Sequence, residues 1–359
     1  MADPITGEGA LRYQAHVRRK RLTLITALVL LLAVALYPTA SGSYNLTVAE
    51  VLKAVVGKGT STSHTIVFGI RLPRVVTAML VGALLALSGV AMQCVLQNPL
   101  ASASTIGVSQ GAAFGAAIGI IVFGGGVVNG GSANVAVEVN SPYIVTLCAF
   151  VFGSLSTVVI LLISQMKKSI GPGGLILAGV ALSSLFSGGS TLLQYFADDT
   201  KLSAVVFWTF GNLGGTNWKE ILILAVMLVV VFIYFMINRW NYIAMNNGAE
   251  TAKSLGVNTR SVMLITMAVC TLTAAVAVAF VGIINFIGLV APHIMRRFVG
   301  DDYRFLIPAS ALGGALVLLA ADTFGRLIIS PVILPVGAIT SFHGAPLFLI
   351  LLLRGADNK

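Results

Sequence analysis

One pentapeptide in the chain could carry covalent chemistry. Gly107-Val108-Ser109-Gln110-Gly111 matches the G-x-S-x-G pattern, which presents a nucleophilic serine when it forms a sharp turn between a strand and a helix. Here the pentapeptide lies near the start of an apolar segment rich in Gly and Ala, where small residues allow helices to pack closely. The four histidines fall on other segments: His16, His64, His293 and His343. The pattern therefore favours helix packing over a serine hydrolase, and no catalytic residue is predicted.

The sequence lacks the usual motifs for binding nucleotides or metal ions. The sequence contains no G-x-x-x-x-G-K-[ST], so this chain is not expected to cradle nucleotide phosphates itself. Its three cysteines, Cys94, Cys148 and Cys270, lie far apart and inside apolar runs. Neither a disulfide framework nor a zinc site is indicated. We expect no metal site and no cofactor in this chain.

Charged residues next to apolar segments are rare enough to be informative. Asp322 is the only acid well inside an apolar run, and Arg326 follows it at i+4 on the same helix face, which favours a local ion pair. The scarcity of such acids counts against a proton-coupled carrier. Arg71, Arg74 and Arg326 could extend to lipid head groups or pair with local acids. They could also form a docking rim for an acidic partner, because Arg binds carboxylates with two parallel hydrogen bonds.

A polar segment over residues 246–259 also has two interpretations. Ala249 to Leu255 can form a short helix that Gly256 would end. Such a helix between Gly248 and Gly256 could fit a groove on a cytoplasmic partner. Short polar segments are more commonly solvated connectors, and composition alone favours that interpretation for residues 246–259.

The elements that carry these residues are membrane spans. The chain of 359 residues is 57% hydrophobic and only 9% charged, whereas soluble domains carry about 25% charged residues. The net charge of +10 is spread over short loops, so no nucleic-acid partner is expected. A spanning helix needs about 20 apolar residues. Ten runs are candidates, the eighth being short: 22–40, 74–97, 103–124, 143–165, 174–196, 218–238, 260–284, 287–299, 305–325 and 334–353.

Basic residues predict the orientation of these spans. With the N-terminus inside, about two-thirds of the 22 Lys and Arg residues fall on the inside, which favours an even number of spans and two cytoplasmic ends. Residues 22–40 could instead be a cleaved signal, since Arg18 to Arg21 precede an apolar stretch. The long polar segment before this run and the better charge distribution favour a retained first helix. We expect cytoplasmic tails over 1–21 and 355–359, flanking one membrane domain over 22–354. Val48 to Val56 should form a short amphipathic helix.

Several further motifs follow one another along the chain. They are Arg71-Leu72-Pro73-Arg74, the stretch Leu80–Gln93, Asn98-Pro99-Leu100-Ala101, Gly107–Ala112, Ser254-Leu255-Gly256-Val257, Phe286–His293 with Arg296, Ala321-Asp322 with Arg326, Leu334-Pro335-Val336-Gly337 and Gly344-Ala345-Pro346. In this order they resemble the FecCD or BtuC-like permeases of ABC importers for iron-siderophores, haem and vitamin B12. The resemblance covers roughly residues 45–354.

The resemblance implies an all-α, polytopic membrane protein with about ten transmembrane helices, in the cytoplasmic membrane of a bacterium or archaeon. It implies a second copy of this chain, two cytoplasmic ATPase subunits that bind ATP and Mg, and an extracytoplasmic binding protein. Ferric siderophore is the first expectation for the substrate, with haem, cobalamin and molybdate as alternatives and a stand-alone secondary carrier as a different class.

The resemblance also assigns roles to particular residues. It implies binding-protein docking by Arg71, Arg74 and Arg326. It implies ATPase coupling within residues 246–257, by Ala249, Glu250, Ala252, Lys253, Ser254, Leu255, Gly256 and Val257. It places the translocation path along the fifth span and after Asn98-Pro99, at Asn98, Pro99, Ser183, Ser184, Ser187, Ser190, Thr191 and Gln194.

Overall fold

The computed structural model describes residues 5–40, 47–57, 59–125, 127–128, 137–138, 142–166, 170–329 and 332–356. Most of these residues are helical. The helices are α1 Ile5–Ala40, α2 Val48–Val55, α3 Ser61–Ile66, α4 Leu72–Val95, α5 Val108–Ile121, α6 Pro142–Met166, α7 Pro172–Tyr195, α8 Asp199–Thr209, α9 Trp218–Ile237, α10 Arg239–Asn246, α11 Ala249–Ser254, α12 Thr259–Val281, α13 Ile287–Val299, α14 Tyr303–Leu327 and α15 Val336–Ala356.

Three smaller elements interrupt this pattern. Val67–Arg71 forms a π-helical turn that joins α3 to α4, and Ser104–Ile106 forms a 3-10 turn before α5. Two-residue strands, β1 Val127–Val128 and β2 Val137–Glu138, pair antiparallel. The all-α prediction is therefore confirmed apart from this one short ladder.

All ten predicted spans coincide with helices. Within the described residues, seven helical segments are long and apolar enough to cross a membrane: Tyr13–Thr39, Ser61–Val95, Tyr143–Met166, Pro172–Tyr195, Trp218–Ile237, Thr259–Val281 and Tyr303–Leu327. The remaining predicted spans correspond to α5, α13 and α15. With 14 and 13 residues, α5 and α13 reach only about 20 Å, less than the hydrocarbon core of a bilayer. The chain is a multi-pass membrane protein.

Two predicted boundaries differ from those of the matching helices by five residues or more. The first helix begins at Ile5 rather than at residue 22, because the polar stretch before the apolar run is rich in good helix formers and continues the same helix. The third predicted span begins at Val108 rather than at residue 103. There Gly107, at φ +94, separates the 3-10 turn from α5. Predictions for residues 1–4, 41–46 and 357–359 fall outside the described residues.

The centre of the bundle is α4, most of whose side chains are buried. It packs against α12, α13 and α14. At two crossings glycines face each other so closely that a side chain would collide with the opposite backbone: Gly82 with Gly314, and Gly89 with Gly288. Small residues at such crossings let membrane helices gain packing contacts that lipid alone does not drive. These crossings pack α4 tightly against α13 and α14.

Candidate functional site

A buried ion cluster lies where α4 begins and α14 ends. The Nε and Nη2 atoms of Arg74 donate hydrogen bonds to Oδ1 of Asp322 at 2.9 and 2.7 Å. Nε of Arg326 donates to Oδ2 of the same carboxylate at 3.2 Å. The Asp322 side chain is fully buried, and those of Arg74 and Arg326 are only 11% and 14% exposed. One carboxylate thus orients two guanidinium groups in a water-poor site.

Arg71 joins this end of α4 to α1. It belongs to the π-helical turn before α4, and its Nη1 donates to the carbonyl oxygen of Thr39 at 2.9 Å. The side chain of Arg71 is buried. Single π-helical turns of this kind are frequent at functional sites.

The loop before α9 lies against the same cluster. Nη1 of Arg74 lies next to Gly214, and the hydroxyl groups of Thr77 and Thr216 are 2.6 Å apart. The indole of Trp218 donates to the carbonyl oxygen of Phe68 at 3.0 Å. Residues from α1, α4, α14 and this loop therefore meet in one polar assembly.

The predicted Asp322–Arg326 ion pair is confirmed. Three interpretations were open for the arginines, and pairing with a local acid is the one that the structure shows for Arg74 and Arg326. Sequence reasoning missed the shorter contact, which joins Arg74 to Asp322 across 248 positions. The sequence feature that could have indicated this contact is the position of Asp322 inside an apolar run, because a buried acid there needs a cationic partner. A docking role for Arg71, Arg74 and Arg326 stays a prediction.

The other end of α4 connects to α10. Gln97 has a left-handed backbone, with φ +47, which is uncommon for a residue other than glycine. Its side-chain amide donates to the carbonyl oxygens of Cys94 at 2.7 Å and Met245 at 2.8 Å. The thiol of Cys94 contacts the carbonyl oxygen of Tyr242 at 3.4 Å. Gln97 therefore fastens the end of α4 to the segment that carries α11, a role that sequence reasoning did not identify.

The short helix predicted after Gly248 is present as α11, Ala249–Ser254. Gly248 and Gly256 adopt φ +104 and +83, so both ends are set by backbone conformations that favour glycine. Ala252 is completely buried against the core that contains Tyr242 and Met245. The other predicted coupling residues lie around it: Ala249, Glu250, Lys253, Ser254, Leu255 and Gly256 are exposed, and Val257 is half-buried.

The surface of α11 is both charged and apolar. Lys253 donates to Glu250 at 2.7 Å, with both side chains mostly exposed. Leu255 directly follows the helix and is 67% exposed. Ala252 therefore anchors α11 in the core while Leu255 stays exposed beside it, and a coupling role for this segment stays a prediction.

The two ends of α4 are far apart. Arg74 and Cys94 are separated by 20 positions on one helix, or about 30 Å at 1.5 Å per residue. That distance equals the thickness of a bilayer hydrocarbon core. The ion cluster and the α10–α11 segment therefore lie at opposite ends of α4, separated by about the thickness of a bilayer hydrocarbon core.

The predicted path residues of the fifth span lie on α7 and divide between two faces. Ser190 is buried and donates to the carbonyl oxygen of Phe186 at 2.9 Å, and Ser183 donates to that of Gly179 at 2.8 Å. Exposed residues follow the opposite face, namely Ser184, Ser187 and Thr191, whereas Gln194 is half-buried. Asn98 is half-buried and Pro99 exposed in the turn after α4. Their role in a path stays a prediction.

The G-x-S-x-G segment does not have the geometry of a nucleophile elbow. A 3-10 turn precedes it rather than a strand, and Ser109 is a buried residue of α5. Its hydroxyl donates to that of Ser104 at 3.1 Å. Gly111 packs so tightly on the Phe152 backbone that an added Cβ would lie 2.6 Å from its carbonyl oxygen. The segment packs helices together, as the sequence favoured.

Taken together, the apolar helices of this bundle define a polytopic membrane protein with a polar assembly at each end of α4. The FecCD transport family model matches residues 27–354. The chain belongs to this family.

Individual relatives agree with this assignment. A protein of Methanocaldococcus jannaschii named as an ABC transporter permease is 49% identical over 343 residues, covering 96% of this chain and 97% of the relative. The Fe(3+)-citrate import system permease YfmE of Bacillus subtilis is 36% identical over 337 residues, which cover 93% of this chain and 96% of the relative. A metal-chelate type ABC transporter solved in an inward-facing conformation has a TM-score of 0.79 at 32% identity. The match covers 92% of this chain and 98% of the solved chain.

Proposed function

We propose that this chain is the membrane-spanning permease subunit of an ABC importer for a metal chelate. The observation that carries the proposal is the match of the FecCD transport family across residues 27–354. In this proposal, two copies of the chain form the translocation path between them. A separate pair of cytoplasmic ATPase subunits binds ATP and Mg and drives transport, and an extracytoplasmic binding protein delivers the substrate.

The basic residues near the N-terminus support one orientation of the chain. The N-terminal end, rich in Arg and Lys, belongs on the cytoplasmic side of the membrane, as does α11. The ion cluster then faces outward, where Arg71, Arg74 and Arg326 meet acidic side chains of the binding protein. Both termini are cytoplasmic, in the inner membrane of a bacterium or archaeon.

The mechanism is alternating access. Nucleotide binding in the ATPase moves α11, and Gln97 transmits this movement to α4, because its amide bonds link Met245 to the end of that helix. The path opens in turn to either side. A large chelate passes most easily through a path without strong specific contacts, since tight binding would hinder release.

The expected cargo is a ferric siderophore. The relative from B. subtilis is named for ferric citrate and the solved neighbour for a metal chelate, which supports a chelated metal rather than a bare ion. Haem, cobalamin and molybdate are the alternatives.

Reconstitution tests the proposed function. Proteoliposomes containing this chain, its ATPase and its binding protein should accumulate a ferric siderophore only when ATP is enclosed with the ATPase. Omitting either partner should abolish accumulation. Uptake by the chain alone, driven by an ion gradient, would instead establish a secondary carrier. A screen of siderophores, haem, cobalamin and molybdate against the binding protein identifies the cargo.

The path assignment predicts a specific pattern of water access along α7. Ser187→Cys and Thr191→Cys should react with a water-soluble maleimide in the assembled transporter, because both positions are exposed on this chain and would face the path. Ser190→Cys is the matched control, since Ser190 is buried one position away, and it should react at least about tenfold more slowly. Protection of all three cysteines would place this face of α7 against lipid or the second copy.

A further inference from the structure

A cavity of about 710 Å³ lies beside the polar end of α1, between α1, α9, α10 and α14. Four arginines line it: Arg18 and Arg21 from α1, Arg239 from α10 and Arg304 from α14. None of these arginines belongs to the ion cluster at Asp322 or to α11. The cavity is therefore a separate cationic site.

Among the described residues, one of these four arginines, Arg304, has an acidic partner. Arg304 donates to both carboxylate oxygens of Asp302, at 2.9 and 2.7 Å. Partial burial acts to raise the pKa of Asp302, but hydrogen bonds from Arg304 outweigh it and leave the pKa below its ordinary value. The carboxylate is ionised at neutral pH. No acid is among the residues that line the cavity, and within the described part of the chain Arg18, Arg21 and Arg239 make no ion pair.

The side chain of Arg239 gives a second, independent indication that this cavity binds a ligand. Its Nε atom is buried and has no hydrogen-bond partner among the described residues. Buried donors are almost always satisfied in native proteins, and an exception indicates an unseen water or ligand. The guanidinium groups of Arg239 and Arg304 lie 5.7 and 5.5 Å from the centre of the Trp240 ring, so the indole attracts both cations.

The cavity lies at the boundary between hydrocarbon and water. The apolar run of α1 starts at Leu22, directly after Arg21, and α9 ends at Ile237, just before Arg239. Leu22, Ile25 and Trp240 are all more than half exposed. Aromatic and basic side chains at this level are typical of the head-group layer. The rest of the cavity wall includes apolar side chains, among them Val17, Met236 and Phe305.

We propose that this cavity binds the phosphate group of an anionic phospholipid. The unpaired guanidinium groups donate to the phosphate oxygens, for which the planar donors of arginine are well suited. Val17, Met236 and Phe305 contact the glycerol and the first methylenes of the acyl chains. A basic pocket between transmembrane helices has the composition that recognises such head groups. The apolar part of the wall distinguishes a lipid from free phosphate.

Native mass spectrometry of the purified full chain tests the proposal. The protein is incubated with palmitoyl-oleoyl phosphatidylglycerol or with phosphatidylcholine of the same acyl chains, which carries no net charge. We expect retained phosphatidylglycerol and little phosphatidylcholine. The double variant Arg18→Gln/Arg21→Gln should weaken phosphatidylglycerol binding at least about tenfold, since each basic side chain near a head group contributes measurably to binding.

The matched control is Arg19→Gln/Arg297→Gln, which removes the same charge from exposed arginines outside the cavity. It should retain phosphatidylglycerol. Equal loss in both double variants would attribute binding to overall charge and overturn the site. Equal retention of the two lipids would also overturn it. Glycerol phosphate in millimolar excess should not displace the lipid; full displacement would show a site for soluble phosphates instead. Melting temperatures of both variants establish that the fold is intact.

Discussion

Asp322→Asn should destabilise the protein by about 3–5 kcal/mol and abolish substrate uptake. Asp322 is fully buried and accepts hydrogen bonds from both Arg74 and Arg326. Asparagine keeps the shape but removes the negative charge, so two guanidinium groups are left in a water-poor site without a counter-ion. They repel each other and lose the contact that orients them. Melting of the purified protein in detergent measures the stability, and uptake by the reconstituted transporter measures the function.

Asp198→Asn is the matched control for this substitution. Asp198 caps α8 by accepting a hydrogen bond from the backbone N–H of Lys201, and its side chain is 56% exposed. Asparagine caps helices as well as aspartate does, so the same chemical change should cost less than about 0.5 kcal/mol there. A melting temperature for Asp322→Asn equal to that of the control would contradict a structural role for the buried carboxylate.

A double variant separates structure from docking. In Asp322→Asn/Arg74→Gln one buried cation disappears together with the anion, so much of the lost stability should return, because the penalty comes from uncompensated charge. If the stability returns while uptake stays absent, Arg74 has a role beyond holding Asp322, as expected for docking an acidic partner. Recovery of both would assign Arg74 to the internal cluster alone.

The parts of this structure that follow from local sequence could be predicted, and those that depend on distant contacts could not. Apolar runs located the helices because each span must satisfy its own backbone hydrogen bonds in lipid. Gly256 located the end of α11 because its left-handed conformation is a local property. Arg74 and Asp322 belong to different helices, and only the packing of α4 on α14 brings them together.

Junctions between helices were the least predictable features. The apolar run over 103–124 does not show that Ser104–Ile106 forms a separate 3-10 turn, because hydropathy is the same for both conformations. Gln97 has an ordinary polar side chain at the end of an apolar run, and its link to Met245 depends on where α10 lies. The helix of the N-terminal segment continues through charged residues, which apolar length alone does not detect.

Leu255→Asp is expected to uncouple transport from ATP hydrolysis without unfolding the chain. Leu255 is 67% exposed beside α11, whose Ala252 is buried in the core, so the substitution changes the tip of the projection and not its anchor. We expect Leu255 to be one of the few interface residues that contribute about 2 kcal/mol or more to binding, because it is the exposed apolar side chain next to α11. A carboxylate there should weaken ATPase association roughly 30-fold or more, since 1.4 kcal/mol corresponds to a factor of ten.

Co-purification of the ATPase with the permease, together with ATP-driven uptake, measures this loss. Leu11→Asp is the matched control, because Leu11 is also 67% exposed but lies at the polar start of α1. It should leave association and uptake unchanged. Both variants should melt within about 1 °C of the parent, as surface substitutions usually change stability by less than about 0.5 kcal/mol. Normal association of Leu255→Asp with the ATPase would show that α11 is a solvated connector, because its most exposed apolar side chain would then have no partner.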